Sequence, residues 1–245
     1  MEEFKIEGRN AVIELLKSER TINKIMILRG ERQGSINEII KLAKQRGIVI
    51  SEVDRNKLEQ LSETKHYQGV IAFVSPIEYK DIDDILEYAK SKNEDPFVII
   101  ADEIEDPHNL GALIRTAETA GCHGIIIPKR RACQVTEVVV KVSCGATEHL
   151  PIARVNNIND AIEELKEKGL WIVGTDGSAK ELYYEQDLKG PIGIIIGSEG
   201  RGMSKLTMKN CDFLVKIPMF GEITSLNASV SGGIIIYEAV RQRMK

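Results

Sequence analysis

Three polar clusters, each placed just after an apolar run, hold the residues whose types and spacing suit chemistry. The first begins Asp102-Glu103-Ile104-Glu105-Asp106-Pro107-His108-Asn109-Leu110-Gly111 and runs on to Arg115 and Glu118. The second is Gly197-Ser198-Glu199-Gly200-Arg201-Gly202-Met203-Ser204, a glycine-rich turn behind the apolar run Ile194-Ile195-Ile196. The third is Ile217-Pro218-Met219-Phe220-Gly221, followed by Ser225-Leu226-Asn227-Ala228-Ser229. Together they offer a guanidinium, amides, hydroxyls, carboxylates and glycine backbone that lets a ligand come close. That set suits binding and orienting a polar substrate. The turn is neither the G-x-G-x-x-G of a dinucleotide site nor a phosphate loop, which needs a Lys-Ser/Thr pair. Each cluster alone also has a plain structural reading. Asn109 can cap a helix whose Arg115 faces water, the glycine turn can simply join a strand to a helix, and Ser225 can be an N-cap. Asn227 fits a helix interior poorly, because its amide competes for backbone hydrogen bonds.

The elements that must position these clusters form two pieces. In the first, the pattern predicts a helix over 8–18, a strand over 24–28, a helix from Ser35 to about Gly47, a strand over 47–53, a short helix over 55–61 and a strand over 69–75. Ser35 is the expected N-cap, with Glu38 as its capping-box partner. Pro76 ends this piece. Residues 77–95 are acidic and are expected to be a linker with a short helix over 83–90. The second piece alternates strands (97–104, 124–128, 149–155, 170–176, 190–199, 212–219) with helices, one of them over 109–120, and closes on a long helix over 226–243. Such alternation predicts a mostly parallel α/β sheet, whose nearly all-apolar strands are buried on both faces. Ligands of such sheets bind at the carboxyl ends of the strands, which is where the three clusters fall.

Composition narrows the classes. The 245 residues are 42% hydrophobic and 29% charged, as in ordinary globular proteins. The apolar runs fall well short of the ~20 residues needed to cross a bilayer, and the polar start reads as no signal peptide. A cytoplasmic protein is the expectation. Cys122, Cys133, Cys144 and Cys211 form no C-x-x-C pair, so they read as reduced, buried thiols and no metal site is expected. Net charge is −4, but residues 1–75 carry 13 basic against 11 acidic side chains while 76–96 carry 3 against 7. Lys129-Arg130-Arg131 and the pair Arg29 and Arg32 are local basic clusters that permit RNA binding without requiring it.

Taken in order, D-x-x-x-D-P-x-N-x-G-x-x-x-R-T-A-E, I-I-I-G-x-E-G-x-G-x-S and I-P-M-x-G-x-x-x-S-L-N-x-S resemble the three motifs of the SPOUT-superfamily ribose 2′-O-methyltransferases of the SpoU (TrmH) type, over about 97–245. The N-terminal piece resembles the RNA-binding, L30e-like domain of the same family. Tyr67-Gln68-Gly69-Val70 stands where the bacterial 23S rRNA guanosine enzymes read His-Gln-Gly-Val, with His66 displaced by one extra residue.

This resemblance implies an RNA-binding domain over 1–76, an acidic linker over 77–95 and a methyltransferase domain over 96–245 with a deep trefoil knot. It implies S-adenosylmethionine as methyl donor, held by Gly197, Ile217 and Leu226, with Thr175 beside them. Asn109, Arg115, Glu199, Ser225 and Asn227 are implied for the reacting site. Arg115 would grip the target phosphate and polarise the 2′-hydroxyl, Asn109, Ser225 and Asn227 would position Arg115 or the substrate, and Glu199 would orient the loop. The sulfonium is a good leaving group, so no metal is implied. The resemblance further implies a homodimer, with Ile234, Ile235 and Ile236 of the last helix as candidate interface, and a guanosine of 23S rRNA as target. The same chemistry on tRNA or on an rRNA adenosine, and RNA binding without catalysis, are the competing readings.

Overall fold

The computed structural model describes residues 4–20, 22–74, 77–198, 200 and 202–244. Along the chain the elements are β1 (Phe4–Glu7), α1 (Arg9–Lys17), β2 (Ile22–Leu28), α2 (Ser35–Gln45), β3 (Ile50–Val53), α3 (Arg55–Leu61) and β4 (Val70–Val74). They continue with α4 (Ile82–Lys92), β5 (Phe97–Ala101), α5 (Pro107–Thr119), β6 (Gly124–Pro128), α6 (Glu137–Val142), β7 (Ile152–Val155) and α7 (Ile158–Glu167). The last are β8 (Trp171–Thr175), β9 (Glu181–Leu182), β10 (Ile192–Ile196), α8 (Lys205–Asn210), β11 (Phe213–Lys216) and α9 (Ala228–Arg243). Pro76, expected to end the first piece, lies outside the described residues.

The chain divides into two compact units. The first holds the described residues between 4 and 78 and, unexpectedly, 135–149. Its four-stranded sheet has the order β1-β4-β2-β3, antiparallel except for the β2–β3 pair. β4 is buried throughout, and Val12, Leu15, Ile25, Ile36 and Ile39 fill the interior beside it. Strand β1 has no counterpart in the sequence reading, because four residues with one long partner give little periodic signal.

Segment 135–149 leaves the methyltransferase-like stretch to pack in this unit. The Lys5 amide donates to Glu137 (2.6 Å), the Lys141 ammonium donates to Thr64 (2.8 Å), and Arg20 pairs with Glu148 (2.8 Å). Gly145 has φ +94°, and a Cβ there would sit 2.2 Å from Cβ of Glu14, so only glycine fits.

The second unit holds 79–134 and 150–244 of the described chain, around a seven-stranded sheet ordered β7-β6-β5-β10-β8-β11-β9. All its strand pairs are parallel. β5, β6 and β10 are wholly buried, as expected of apolar strands in a sheet covered on both faces. The acidic stretch is not a free linker: Ile82, Ile85 and Ala89 of α4 are buried in this unit's core. Its acidic residues serve the helix start, where the Asp84 carboxylate accepts from the Asp81 amide (2.9 Å).

Two further expectations are corrected. Helix α2 is preceded by Gly34 at φ +58° and has no side-chain cap, so Ser35 is the first helical residue and not the N-cap. Ile235 and Ile236 are fully buried in the chain's own core and have no surface left to offer a partner. The reason is the close crossing of α9 over α5. A Cβ on Gly232 would lie 2.6 Å from Leu113, so the glycine lets the helices approach and sinks that side of α9.

Candidate active site at the carboxyl ends of the strands

Because β5, β10, β8 and β11 are adjacent and parallel, their carboxyl ends lie along one edge of the sheet. The three clusters emerge there. A cavity of about 700 Å³ opens between the turns after β8, β10 and β11 and the first turns of α9. Thr175, Gly197, Ile217 and Leu226 all line it, although they come from four places in the chain. Ser225 lines it as well.

Its walls are built locally. The Thr175 hydroxyl donates to the carbonyl of Ile195 (3.1 Å) and fastens the end of β8 to β10. The Gly202 amide donates to the Ser198 carbonyl (3.0 Å), closing a tight turn in which Gly200 and Gly202 take φ +77° and +65°. A Cβ on Gly197 would lie 2.7 Å from the Gly202 carbonyl carbon and 2.8 Å from the Met203 nitrogen. The glycine run of the second cluster is therefore a requirement of this turn. Ser204 then caps α8, accepting from the Thr207 amide (3.0 Å).

Asp102, at the end of β5, reaches the same turn. Its carboxyl is buried, and burial pushes it above the usual carboxylate range, against opposing hydrogen bonds from Thr207 and the Ser204 backbone. It was quoted in the first cluster but given no role. The signal is its place as the first polar residue after the apolar run of β5.

The first and third clusters meet through side chains. Asp106 is the N-cap of α5, accepting from the His108 amide (3.2 Å), with Pro107 at the first helical position. Asn109 is therefore inside the helix, not at its cap, and is 5% exposed. Its Oδ1 accepts from Nδ2 of Asn227 (2.9 Å) and from the hydroxyl of Ser229 (3.2 Å). Asn227, not Ser225, caps α9: its Oδ1 accepts from the amides of Ser229 (3.0 Å) and Val230 (3.3 Å). That resolves the poor fit of Asn227 to a helix interior, since α9 begins one residue later. Ser229, which sequence reasoning gave no role, also donates to Asn227 Oδ1 (2.7 Å). Its signal was the serine that ends S-L-N-x-S.

Arg115 is exposed on α5, six residues past the buried Asn109. At 3.6 residues per turn the two leave the helix on different sides. Asn109, Asn227 and Ser229 thus form one hydrogen-bonded group, Thr175, Gly197, Ile217, Ser225 and Leu226 line one cavity, and Arg115 stands on the outer face of α5. Glu199 lies outside the described residues. Lys129, Arg130 and Arg131 are exposed after β6, where the Cys133 amide donates to the Ile104 carbonyl (2.8 Å) and ties their loop to the first cluster.

Among the described residues no group of three or more His, Cys, Asp or Glu side chains is gathered as for a metal ion, and no helix is long and apolar enough to cross a membrane.

Comparisons with known proteins follow the same division. The model of the SpoU rRNA Methylase family matches residues 96–237, and that of RNA 2′-O ribose methyltransferase substrate binding matches residues 5–80. A Bacillus subtilis protein named as a TrmH family tRNA/rRNA methyltransferase, YacO, is 50% identical over 96% of this chain and 94% of its own. Among solved structures, the SpoU methyltransferase AviRb from Streptomyces viridochromogenes, in complex with the cofactor AdoMet, superposes with a TM-score of 0.83 at 27% identity. That match covers 99% of this chain and 91% of the other. An AdoMet-bound rRNA methyltransferase from Sinorhizobium meliloti gives a TM-score of 0.80 at 26% identity, over 98% and 87%.

Proposed function

The chain belongs to the SpoU rRNA methylase family of RNA methyltransferases, and on that premise we propose that it methylates a ribose 2′-hydroxyl, that of a guanosine in 23S rRNA. The observation that carries this reading is the convergence of Thr175, Gly197, Ile217 and Leu226 on one cavity beside the Asn109–Asn227–Ser229 group. The 23S rRNA guanosine is supported by the likeness of Tyr67-Gln68-Gly69-Val70 to the motif of those enzymes.

The cavity fits S-adenosylmethionine. Its volume is in the range of small-molecule sites. Ile217, Met219 and Leu226 line it with accessible apolar surface for a flat base, and Gly177 and Gly202 leave backbone open on its wall. When bound, the donor supplies a methyl group on a positively charged sulfur.

The chain's own groups do the rest. Asn227 fixes the end of the third cluster to α5 through Asn109, so the donor-binding turn and the helix bearing Arg115 keep one geometry. Such positioning is where a site gains most from rigid elements. A guanidinium offers donors and no acceptor, so the part of Arg115 is to bind the target phosphate in a fork and orient the hydroxyl, not to take its proton. Ser225, at the cavity wall, orients the ribose, and Glu199 orients the second turn.

The C-terminal knot and a homodimer belong to the same reading. With Ile235 and Ile236 buried, Ile234 keeps partial exposure, and Val230 and Tyr237 of α9 and Met244 just past its end (50%, 49% and 82% exposed) give apolar surface for a partner.

The test is to incubate the protein with radiolabelled S-adenosylmethionine and either unmodified 23S rRNA or bulk tRNA, then analyse nucleosides. A 2′-O-methylguanosine in 23S rRNA is expected. Label in tRNA alone keeps the chemistry and rejects the target. Failure to bind the donor rejects the enzyme.

A further inference from the structure

The first unit carries a second cavity, of about 590 Å³, walled by four separate stretches: Arg9, Leu28 with Glu31, Arg55 with Glu59, and Lys65 with Tyr67, Gln68 and Gly69. Its backbone is unusual. Lys65 and Gln68 take φ +56° and +50°, left-handed values that side chains seldom adopt, and Gly8, Gly30 and Gly69 are left-handed too. A left-handed residue other than glycine carries strain that the surrounding structure must hold in place.

Here the structure holds it through Arg9. Its amide donates to the Gln68 side-chain oxygen (3.0 Å), its Nε donates to the Gln68 carbonyl (2.9 Å), and its guanidinium pairs with Glu31. Gly69 suits this rim because its φ of +79° is one that residues with a Cβ seldom adopt, and a Cβ there would also displace the Glu31 carboxylate. The result is a rigid rim.

Two cations on this rim are not consumed by it. Neither Arg55 nor Lys65 has an ion pair among the described residues, and both are exposed. The neighbouring Arg29 and Arg32, by contrast, are paired with Asp54 and Glu52. Tyr67 is half-buried, its ring packed on the cluster of Leu58, Ile71 and Phe73 and also lining the cavity. An anchored aromatic ring that shares a cavity with two unpaired cations and the Glu59 carboxylate is the chemistry that holds an unpaired nucleotide. The ring stacks on the base, the cations take the flanking phosphates, and the carboxylate accepts from an exocyclic amino group.

We propose that this cavity is a subsite for one unpaired nucleotide of the substrate RNA, distinct from the methylated one and held by Tyr67, Arg55 and Lys65. The inference rests on the RNA-methyltransferase reading above. It locates within 1–78 the contact that anchors the RNA.

Deleting 1–75 would also remove the packing of α6, so point variants of the full chain are the test. Affinity for an unmodified 23S rRNA transcript is measured by filter binding over a range of salt, with S-adenosylmethionine binding as the control for fold. Arg55→Ala with Lys65→Ala is expected to weaken RNA binding about tenfold or more and to lower the slope of log affinity against log salt by between one and two. Tyr67→Leu, which keeps the apolar packing, is expected to weaken binding about tenfold with little change of slope.

Wild-type affinity and slope in both variants would overturn the subsite while leaving methyl transfer intact. Should a variant lose donor binding, photocrosslinking of the wild-type protein to a 4-thiouridine transcript decides. Crosslinks on the peptide bearing Tyr67 support the subsite, and crosslinks confined to other peptides reject it. A wild-type protein that neither binds nor methylates any transcript fails the underlying reading, and the subsite with it.

Discussion

Nδ2 of Asn227 donates to Oδ1 of Asn109 across 2.9 Å, joining the cap of the last helix to the buried first turn of a helix more than a hundred residues earlier. The same Asn227 holds the α9 amides through its other atom. One side chain thus does two separable jobs, capping a helix and tying two motifs together.

Replacing each partner separates those jobs. Asn227→Ala removes the cap and is expected to cost about 1 kcal/mol of stability. Asn109→Ala leaves both helices capped, by Asp106 and Asn227. Its melting temperature is expected to fall by no more than about 4 °C, while kcat for methyl transfer falls about tenfold or more with unchanged donor affinity. Normal turnover in Asn109→Ala would show that the tie does not position the site.

Arg115→Lys keeps the charge and loses the planar fork. Turnover on RNA is expected to drop about a hundredfold, and S-adenosylmethionine affinity to stay at the wild-type value, as read by isothermal titration and single-turnover kinetics. Near-normal turnover would reject two-pronged phosphate binding by this side chain.

Gly197→Ala places a methyl group against the Gly202 and Met203 backbone, which cannot move aside as a side-chain tip would. The turn after β10 must open. Donor affinity is expected to weaken about tenfold or more, with most of the fold retained by circular dichroism. Unchanged affinity would mean that this turn does not shape the donor site.

Glu137 gives a pH-dependent prediction. Burial, and then repulsion from Glu63, raise its carboxyl from 4.5 to about 7, despite the Lys5 amide that favours its charged form. Between those values the folded chain holds a proton that the unfolded chain has released. Stability contributed here is therefore present at low pH and lost as pH rises through about 7. Glu137→Gln keeps an acceptor for Lys5 and removes the charge. It is expected to stabilise the protein at pH 8 by on the order of 1 kcal/mol, a figure reduced for the group's partial exposure, and by little at pH 4.5. Thermal melts at the two values check this, and an equal gain at both would reject it.

The apolar runs that became β4, β5, β6 and β10 are legible in the sequence because a strand buried on both faces needs an unbroken hydrophobic stretch. The polar clusters are legible for a related reason: in a parallel sheet the chain must turn just past each such run, and glycine, proline and asparagine mark the turn. The three motifs, their order and their family could therefore be read from the sequence.

Local signals were weaker at helix starts. Ser35 is the expected cap of its helix, and Asn109 and Ser225 can each be read as one, but Gly34, Asp106 and Asn227 precede the helices instead. Each true start is within three residues of the expected one. Several polar residues there can cap, and packing decides which one does.

Only the tertiary structure decided the rest. Val139 and Val140 would suit any core, and nothing local assigns them to the first unit. Their segment goes there because Glu137, Lys141 and Glu148 find partners at Lys5, Thr64 and Arg20, from 77 to 132 residues away in sequence. Ile234, Ile235 and Ile236 read equally well as an interface or as a core. The close approach of Gly232 to Leu113 turned the last two inward. Hydrophobicity says that a residue will be covered, and long-range packing determines what covers it.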